Sequence, residues 1–467
     1  MKKLVLILLF STFLTNVFAQ NVIGQWNGLL SVQGTELSIV FHITQNGEQY
    51  SGTMDSPDQG VKGIPLTSVS YTNNELNIVL KDAGIEFTGK VTESEKISGT
   101  FKQSGMTFPL ELNRKMPLKS ALNRPQEPQK PYPYYTEEVT FINEKGSIEL
   151  SGTLTLPEKE GSFPAVILIT GSGPQNRNEE LLGHKPFLVL SDFLTRQGIA
   201  TLRFDDRGTG FSKGNFELST TADFASDVEA AINYLMTRKE VNKDEIGLIG
   251  HSEGGIIACS IANGNQNVAY IVLMAGSAVR GDELLRMQQA AIGKAQGMSD
   301  EQIRKLGQLN NGGFDIVLNS KDDETLKKDL SEYLKKVMNE FPENERPKGT
   351  QADLAIQQMV SQMTTPWMKF FLKHNPYDDL KKVTIPVLAI IGSNDLQVPS
   401  NENLSAIQNA LREAGNDKSI IKVLPGLNHL FQESSTGLPQ EYGKIEQTIS
   451  PLALQEMGDF INSVVSQ

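Results

Sequence analysis

Ile246-Gly247-Leu248-Ile249-Gly250-His251-Ser252-Glu253-Gly254-Gly255-Ile256-Ile257 is an apolar run that ends in a G-x-S-x-G pattern and resumes as small and apolar residues. It reads as strand, sharp turn and helix, the setting a nucleophile elbow requires. The serine of such a turn has a strained backbone, and side chains two positions either side of it would collide, so Gly250 and Gly254 fit the need. The pattern recurs at Gly210-Phe211-Ser212-Lys213-Gly214. That copy follows the polar, turn-rich Asp205-Asp206-Arg207-Gly208, and no apolar helix begins directly after it. Ser252 is therefore the candidate nucleophile and Ser212 a loop residue.

A serine hydroxyl needs a base to take its proton, and the base needs an acid to orient it. The chain has five histidines: His42, His184, His251, His374 and His429. His42 lies in an alternating segment far upstream, and His251 is adjacent to the nucleophile, so its side chain should leave the turn in another direction. His184 and His374 have no strand leading into them. His429 follows an expected strand, Ile420 to Leu424, through the turn Pro425-Gly426-Leu427-Asn428, and is the candidate base. Val387 to Gly392 is a continuous apolar run, read as a buried parallel strand. Asp395 follows it and is the candidate acid. The order Ser252, Asp395, His429 is that of α/β-hydrolases.

The tetrahedral intermediate needs donors for its negative charge. One is the backbone N–H of Glu253, directly after the nucleophile. The strand Ala165 to Thr170 leads into Gly171-Ser172-Gly173-Pro174, whose glycines let backbone approach a substrate. The second donor is assigned to the N–H of Ser172, with Gly173 as the alternative.

Gly171-Ser172-Gly173-Pro174 with Arg177, the Gly250 to Gly255 block, Pro366-Trp367, Asp395-Leu396-Gln397-Val398-Pro399 and Leu427-Asn428-His429-Leu430-Phe431-Gln432 resemble the EstD-type carboxylesterases of the α/β-hydrolase superfamily. The likeness spans roughly residues 137–467. It implies triad roles for Ser252, Asp395 and His429, and hydrolysis of short-acyl esters. Asn178 departs from the pattern, since an acidic residue commonly follows the arginine. Asp206-Arg207-Gly208-x-Gly210-x-Ser212 also recurs across the superfamily, and is read as structural, with carboxylate and guanidinium paired to brace the loop beside the site.

Lys2 and Lys3 precede an apolar run from Leu4, and Val17-Phe18-Ala19 resembles a cleavage site, so residues 1–19 are expected to be a signal peptide and the protein to be exported. The run is too short and too interrupted for a membrane span. Cys259 is the only cysteine, so no intramolecular disulfide forms; an exported protein without one suggests a bacterial periplasm or outer surface. The formal charge of −12 disfavours nucleic acid and anionic membranes as partners. No metal or other cofactor is implied. The expected partner is a small-molecule or carbohydrate ester.

Prolines at 117, 125, 128, 131 and 133 mark a semi-rigid linker over 115–136. Before it, 20–114 carries short alternating runs separated by turns, expected to form a small antiparallel barrel or sandwich. After it, strands alternate with amphipathic helices over 137–467, the mark of a mostly parallel sheet covered on both faces. The stretch from Met274 to Val387 is far longer than a βα connection needs, and is read as a helical cap over about 279–377. Trp367, Phe370 and Phe371 lie on a segment that either lines an acyl pocket or packs on the main core. With Arg177 they are the candidate substrate-pocket residues. Peptidase or thioesterase chemistry uses the same triad, and a binding protein on a retired hydrolase scaffold is the non-enzymatic alternative.

Overall fold

A computed structural model describes residues 22–465 apart from 33–34, 48, 60, 94, 104–105, 118–122, 342–345 and 347–348. The expected signal peptide at 1–19 and part of the proline-rich linker lie outside the described residues. The chain forms two compact units, one up to Ala121 and one from Leu122 onward.

In the first unit the described strands are β1 Gly24–Val32, β2 Thr35–Asn46, β3 Gln49–Ser56, β4 Val61–Pro65, β5 Ser68–Thr72, β6 Glu75–Leu80, β7 Ile85–Glu93, β8 Lys96–Gln103 and β9 Met106–Asn113. Pairing runs β2-β1-β9-β8-β7-β6-β5-β3, and β3 also pairs β2, which closes an antiparallel barrel of eight strands with β4 added on β3. Closure removes the open edges a small sheet would expose. Alternation supplies the interior: β7 buries Ile85, Phe87, Gly89 and Val91 and exposes the residues between them. Trp26, Phe41, Phe87 and Phe101 fill the core. The Trp26 indole donates to the Val22 carbonyl at 2.7 Å, and the Arg114 guanidinium lies 3.8 Å from the ring centre.

The second unit has strands β10 Tyr135–Asn143, β11 Ile148–Leu156, β12 Phe163–Ile169, β13 Ala200–Phe204, β14 Val241–His251, β15 Tyr270–Met274, β16 Val387–Gly392 and β17 Ser419–Leu424. They order as β10-β11-β13-β12-β14-β15-β16-β17. The β10–β11 and β11–β13 pairs are antiparallel and the rest parallel. This is the α/β-hydrolase sheet expected from the sequence. Helices α1 Pro186–Arg196, α2 Thr221–Thr237 and α3 Glu253–Ala262 follow β12, β13 and β14. Helices α4 Gly281–Ala295, α5 Asp300–Asn319, α6 Asp323–Glu340, α7 Thr350–Met363 and α8 Pro366–Lys373 form the cap, and α9 Pro376–Leu380 returns the chain to the sheet. Helices α10 Ser400–Glu413, α11 Pro439–Tyr442 and α12 Pro451–Val465 complete the unit. One face of the sheet packs on α2, α3 and α10 through Val228, Ile232, Ile257 and Ile407. The other packs on α1 and α12 through Phe187, Leu190, Met457 and Phe460. Among the described residues no helix is long and apolar enough to cross a membrane.

The strand order reverses at β12, whose neighbours β13 and β14 lie on opposite sides of it. At such a switch point the loops leaving the carboxyl ends diverge and open a crevice. The loop after β12 is the oxyanion candidate, and the turn after β14 carries Ser252.

Candidate active site

Ser252 joins β14 to α3 with φ 54° and ψ −115°, a conformation side-chain-bearing residues rarely adopt. Its N–H donates to the Met274 carbonyl at 2.8 Å. The flanking glycines permit the turn. A Cβ on Gly250 would lie 2.0 Å from the Gly254 carbonyl oxygen, and one on Gly254 would lie 2.2 Å from that of Ile169.

Asp395 sits in the loop after β16, where its Oδ1 accepts the N–H groups of Gln397 and Val398, each at 2.8 Å. That fixes the carboxylate with Oδ2 aimed at His429 Nδ1, 2.8 Å away. Both residues are buried. With Nδ1–H donated to Asp395, the other ring nitrogen is free to take a proton. Ser252 and His429 both line a cavity of about 240 Å³. No hydrogen bond joins them across it, a gap that catalytic pairs commonly close only around a substrate.

A second buried pair lies beside the first. His251 Nδ1 meets Glu179 Oε1 at 2.8 Å, and its Nε2 meets the His429 carbonyl at 3.0 Å. Both partners can accept, so a ring protonated at both nitrogens satisfies them together. Burial opposes charge on the ring, but Glu179, the His429 carbonyl and Asp395 together outweigh it and raise the His251 pKa. Glu179 Oε1 also accepts the Gly171 N–H at 2.8 Å, so the pair ties the loop after β12 to the His429 loop.

That loop hangs on carboxylates. Thr170 and Gln175 bond the two oxygens of Asp206, at 2.7 and 2.9 Å. The Ser172 hydroxyl donates to Glu253 Oε2 at 2.7 Å. Among the described residues no protein group takes the backbone N–H of Ser172 or of Glu253. The cap supplies the opposite wall: Leu284, Leu285 and Gln288 from α4, and Trp367 and Phe371 from α8.

This assembly of elbow, acid and histidine stands within a recognised sequence family, since the model described as serine aminopeptidase, S33, matches residues 187–434. The chain belongs to that family. Over 317 residues it is also 26% identical to esterase EstD of Thermotoga maritima, covering 67% of this chain and 66% of that one. The EstD-type likeness expected from the motifs is thus borne out. Over 128 residues the chain is 29% identical to human acyl-coenzyme A thioesterase 1, covering 27% of each. It therefore spans just under two thirds of the Thermotoga esterase and about a quarter of the thioesterase. Among solved structures, an esterase of Pyrococcus furiosus matches with a TM-score of 0.42 at 16% identity, over 74% of this chain and 98% of that one.

In this family member the expected pocket residues part company. Trp367 and Phe371 line the cavity, and Phe371 is also buried in the main core, so both readings of α8 apply to one helix. Phe370 instead stacks on His374 with ring centres 5.2 Å apart, and is not among the lining residues. Nor is Arg177. Its guanidinium grips Asp205 through Nε at 3.1 Å and Nη2 at 2.8 Å, and also bonds Glu138, Thr153 and Ser151. The ion pair with Asp205 occupies the fork, which places Arg177 as a brace off the cavity. The expected Asp206–Arg207 pair is likewise absent. Arg207 pairs bidentately with Asp227 of α2 at 2.7 and 2.9 Å, while Asp206 serves the loop after β12. Ser212 is a loop residue, its hydroxyl donating to the Asp205 carbonyl at 2.6 Å.

The side chains of His251, Glu179 and Glu253 and the lining residues Gln175, Gln288 and Gln397 were not anticipated from sequence. Only the motif positions of His251, Glu253 and Gln397 singled out any of them.

Proposed function

We propose that this chain is a serine carboxylesterase that hydrolyses short-acyl esters of small molecules or carbohydrates through an acyl-serine intermediate. The observation that carries the reading is the Asp395–His429 hydrogen bond opening onto the cavity that holds Ser252 at a strained elbow. In this reading His429 takes the Ser252 proton as Oγ bonds the ester carbonyl carbon. The N–H groups of Ser172 and Glu253 hold the resulting oxyanion. The carbon–oxygen bond to the alcohol then breaks and His429 returns the proton to the leaving alkoxide. Water, deprotonated by His429, attacks the acyl-serine and releases the acid.

Esters are favoured over acyl-coenzyme A because, among the described lining residues, no lysine or arginine faces the cavity to receive phosphates. We further propose export with loss of residues 1–19, and that the barrel contributes binding rather than chemistry. The test is a panel of short p-nitrophenyl esters, acyl-coenzyme A and peptide amides, with fluorophosphonate labelling. Ester turnover and labelling are expected in the native protein and absent from Ser252→Ala, while Ser212→Ala keeps its probe label. Labelling that persists in Ser252→Ala would remove the assignment, and no labelling of the native protein would favour a binding protein.

A further inference from the structure

Acyl transfer asks only for the backbone N–H of the residue after the nucleophile, yet the side chain of Glu253 is the meeting point of three elements. It is 3% exposed. Oε2 accepts the hydroxyl of Ser172 at 2.7 Å. Oε1 accepts the hydroxyl of Thr221, the first residue of α2, at 2.7 Å, and the indole N–H of Trp367, in cap helix α8, at 2.8 Å. Burial drives the pKa of this carboxyl up, and the bonds from Ser172, Thr221 and Trp367 oppose that rise only in part. An ionisable group held here costs stability that an apolar residue would not. Its return is geometric.

Thr170 and Gln175 are held by Asp206, and Gly171 by Glu179, both outside the cap. Among the described residues, only the Ser172 hydroxyl reaches a carboxylate that also holds the cap wall of the cavity. We propose that Glu253 is a positioning residue that locks the oxyanion donor Ser172 to the cavity-lining Trp367, so that the seating of the cap sets the geometry of the oxyanion hole. This rests on the triad and oxyanion assignments proposed above. Seating an acyl group against Trp367 then steadies the Ser172 N–H through one shared carboxylate. The benefit falls in the transition state, where the oxyanion exists, and so on kcat rather than KM.

The test compares kcat and KM on p-nitrophenyl butyrate, and the inhibition constant of a butyl boronic acid, which mimics the tetrahedral adduct. The proteins are the wild type, Glu253→Gln, Ser172→Ala, Trp367→Phe and the pairwise doubles. Glu253→Gln is expected to lower kcat roughly tenfold to a hundredfold, less than outright loss of an oxyanion donor. KM should move far less, and boronate affinity should fall with kcat. In the Ser172→Ala background, which keeps the backbone N–H, the Glu253→Gln effect should shrink, since both changes cut the same link. Ser172→Ala and Trp367→Phe, which no hydrogen bond joins directly, should likewise be non-additive in kcat, a measurement that stands even if Glu253→Gln fails to fold.

Independent effects in both cycles, or a change in KM alone with boronate affinity intact, overturn the proposal. Fluorophosphonate labelling separates the two levels. If Ser252 is not labelled, the underlying site assignment has failed; if it is labelled and the cycles are additive, only the role of Glu253 has.

Discussion

At the scale of single residues, the elbow is a case of strain held by its surroundings. The left-handed φ of Ser252 costs on the order of 1–3 kcal/mol and persists because the neighbouring contacts over-determine it. Gly250 is the weakest point for substitution, since its missing Cβ would meet backbone 2.0 Å away, and backbone cannot swing aside as a side chain can. Gly250→Ala is expected to destabilise the protein by about 4 kcal/mol or more, or to prevent soluble expression, as urea unfolding would register. A native-like midpoint would mean the turn can relax. Asp395→Asn keeps the shape of the acid but not its charge or its acceptor pattern. Turnover should drop by roughly 10⁴ while the fold stays intact. Circular dichroism and steady-state kinetics together check this, and near-normal turnover would point to another carboxylate as the acid. Cys259 is buried in α3 with its thiol pKa driven up, so it should resist alkylation in the folded protein.

At the scale of elements, the loop after β12 is held by side chains from distant parts of the chain, and Asp206 gives it a pH signature. Burial pushes the Asp206 carboxyl up to about 8, against the bonds from Thr170 and Gln175 that pull it down. An unfolded aspartate releases its proton near 3.8. Between those values the folded state holds the extra proton. The stability from this group is therefore complete below about pH 4 and is lost progressively as pH rises to about 8. Asp206→Asn has no proton to lose, and its amide can still accept from Gln175 while donating to Thr170. Urea midpoints at about pH 5.5 and about pH 8.5 should therefore fall further in the wild type than in Asp206→Asn. An equal or steeper fall in the variant would mean Asp206 is already ionised in the fold. His184 behaves in the opposite sense: burial drives it down to about 4, so it stays neutral beneath Thr448 and the Tyr442 carbonyl and takes no part in neutral-pH titration.

At the scale of the whole molecule, the proline-rich stretch matters for where the chain can be divided. Arg124 donates to the carbonyls of Gly183, Gly443 and Ile445 at 3.2, 2.8 and 2.9 Å. Gln126 bonds the backbone of Thr448 and Ile449, Glu127 pairs with Lys185, and Tyr134 donates to Asp192. Residues 123–134 are thus a strap on the hydrolase unit. On the function proposed above, a chain starting at Leu122 is expected to fold and to hydrolyse small soluble esters, because Ser252, Asp395 and His429 all lie beyond it. One starting at Tyr135 should be less stable by several kcal/mol, since it leaves those carbonyls without protein partners. Thermal unfolding and p-nitrophenyl acetate turnover of the two truncations decide the matter. A well-folded but inactive Leu122 chain would show that the barrel helps build the active site.

Ser252, Asp395 and His429 were legible because each follows a local signal, an apolar strand and then a turn, that needs no knowledge of the rest of the chain. The barrel was legible for the same reason, through alternation along strands such as β7. Side-chain partnerships were not. Glu179 reaches His251 across 72 positions and Trp367 reaches Glu253 across 114. Arg177 takes Asp205, and Arg207 takes Asp227 rather than its own neighbour Asp206, because adjacent residues in a turn point apart. Sequence by itself determined the elements and the loops that carry chemistry, since backbone preference and hydrophobic period act over a few residues. Only the tertiary structure decided which buried charge faces which, and so which arginine is a brace, which aromatic is a cavity wall, and which carboxylate joins the cap to the loop. Those choices depend on packing between segments whose separation along the chain leaves no local trace.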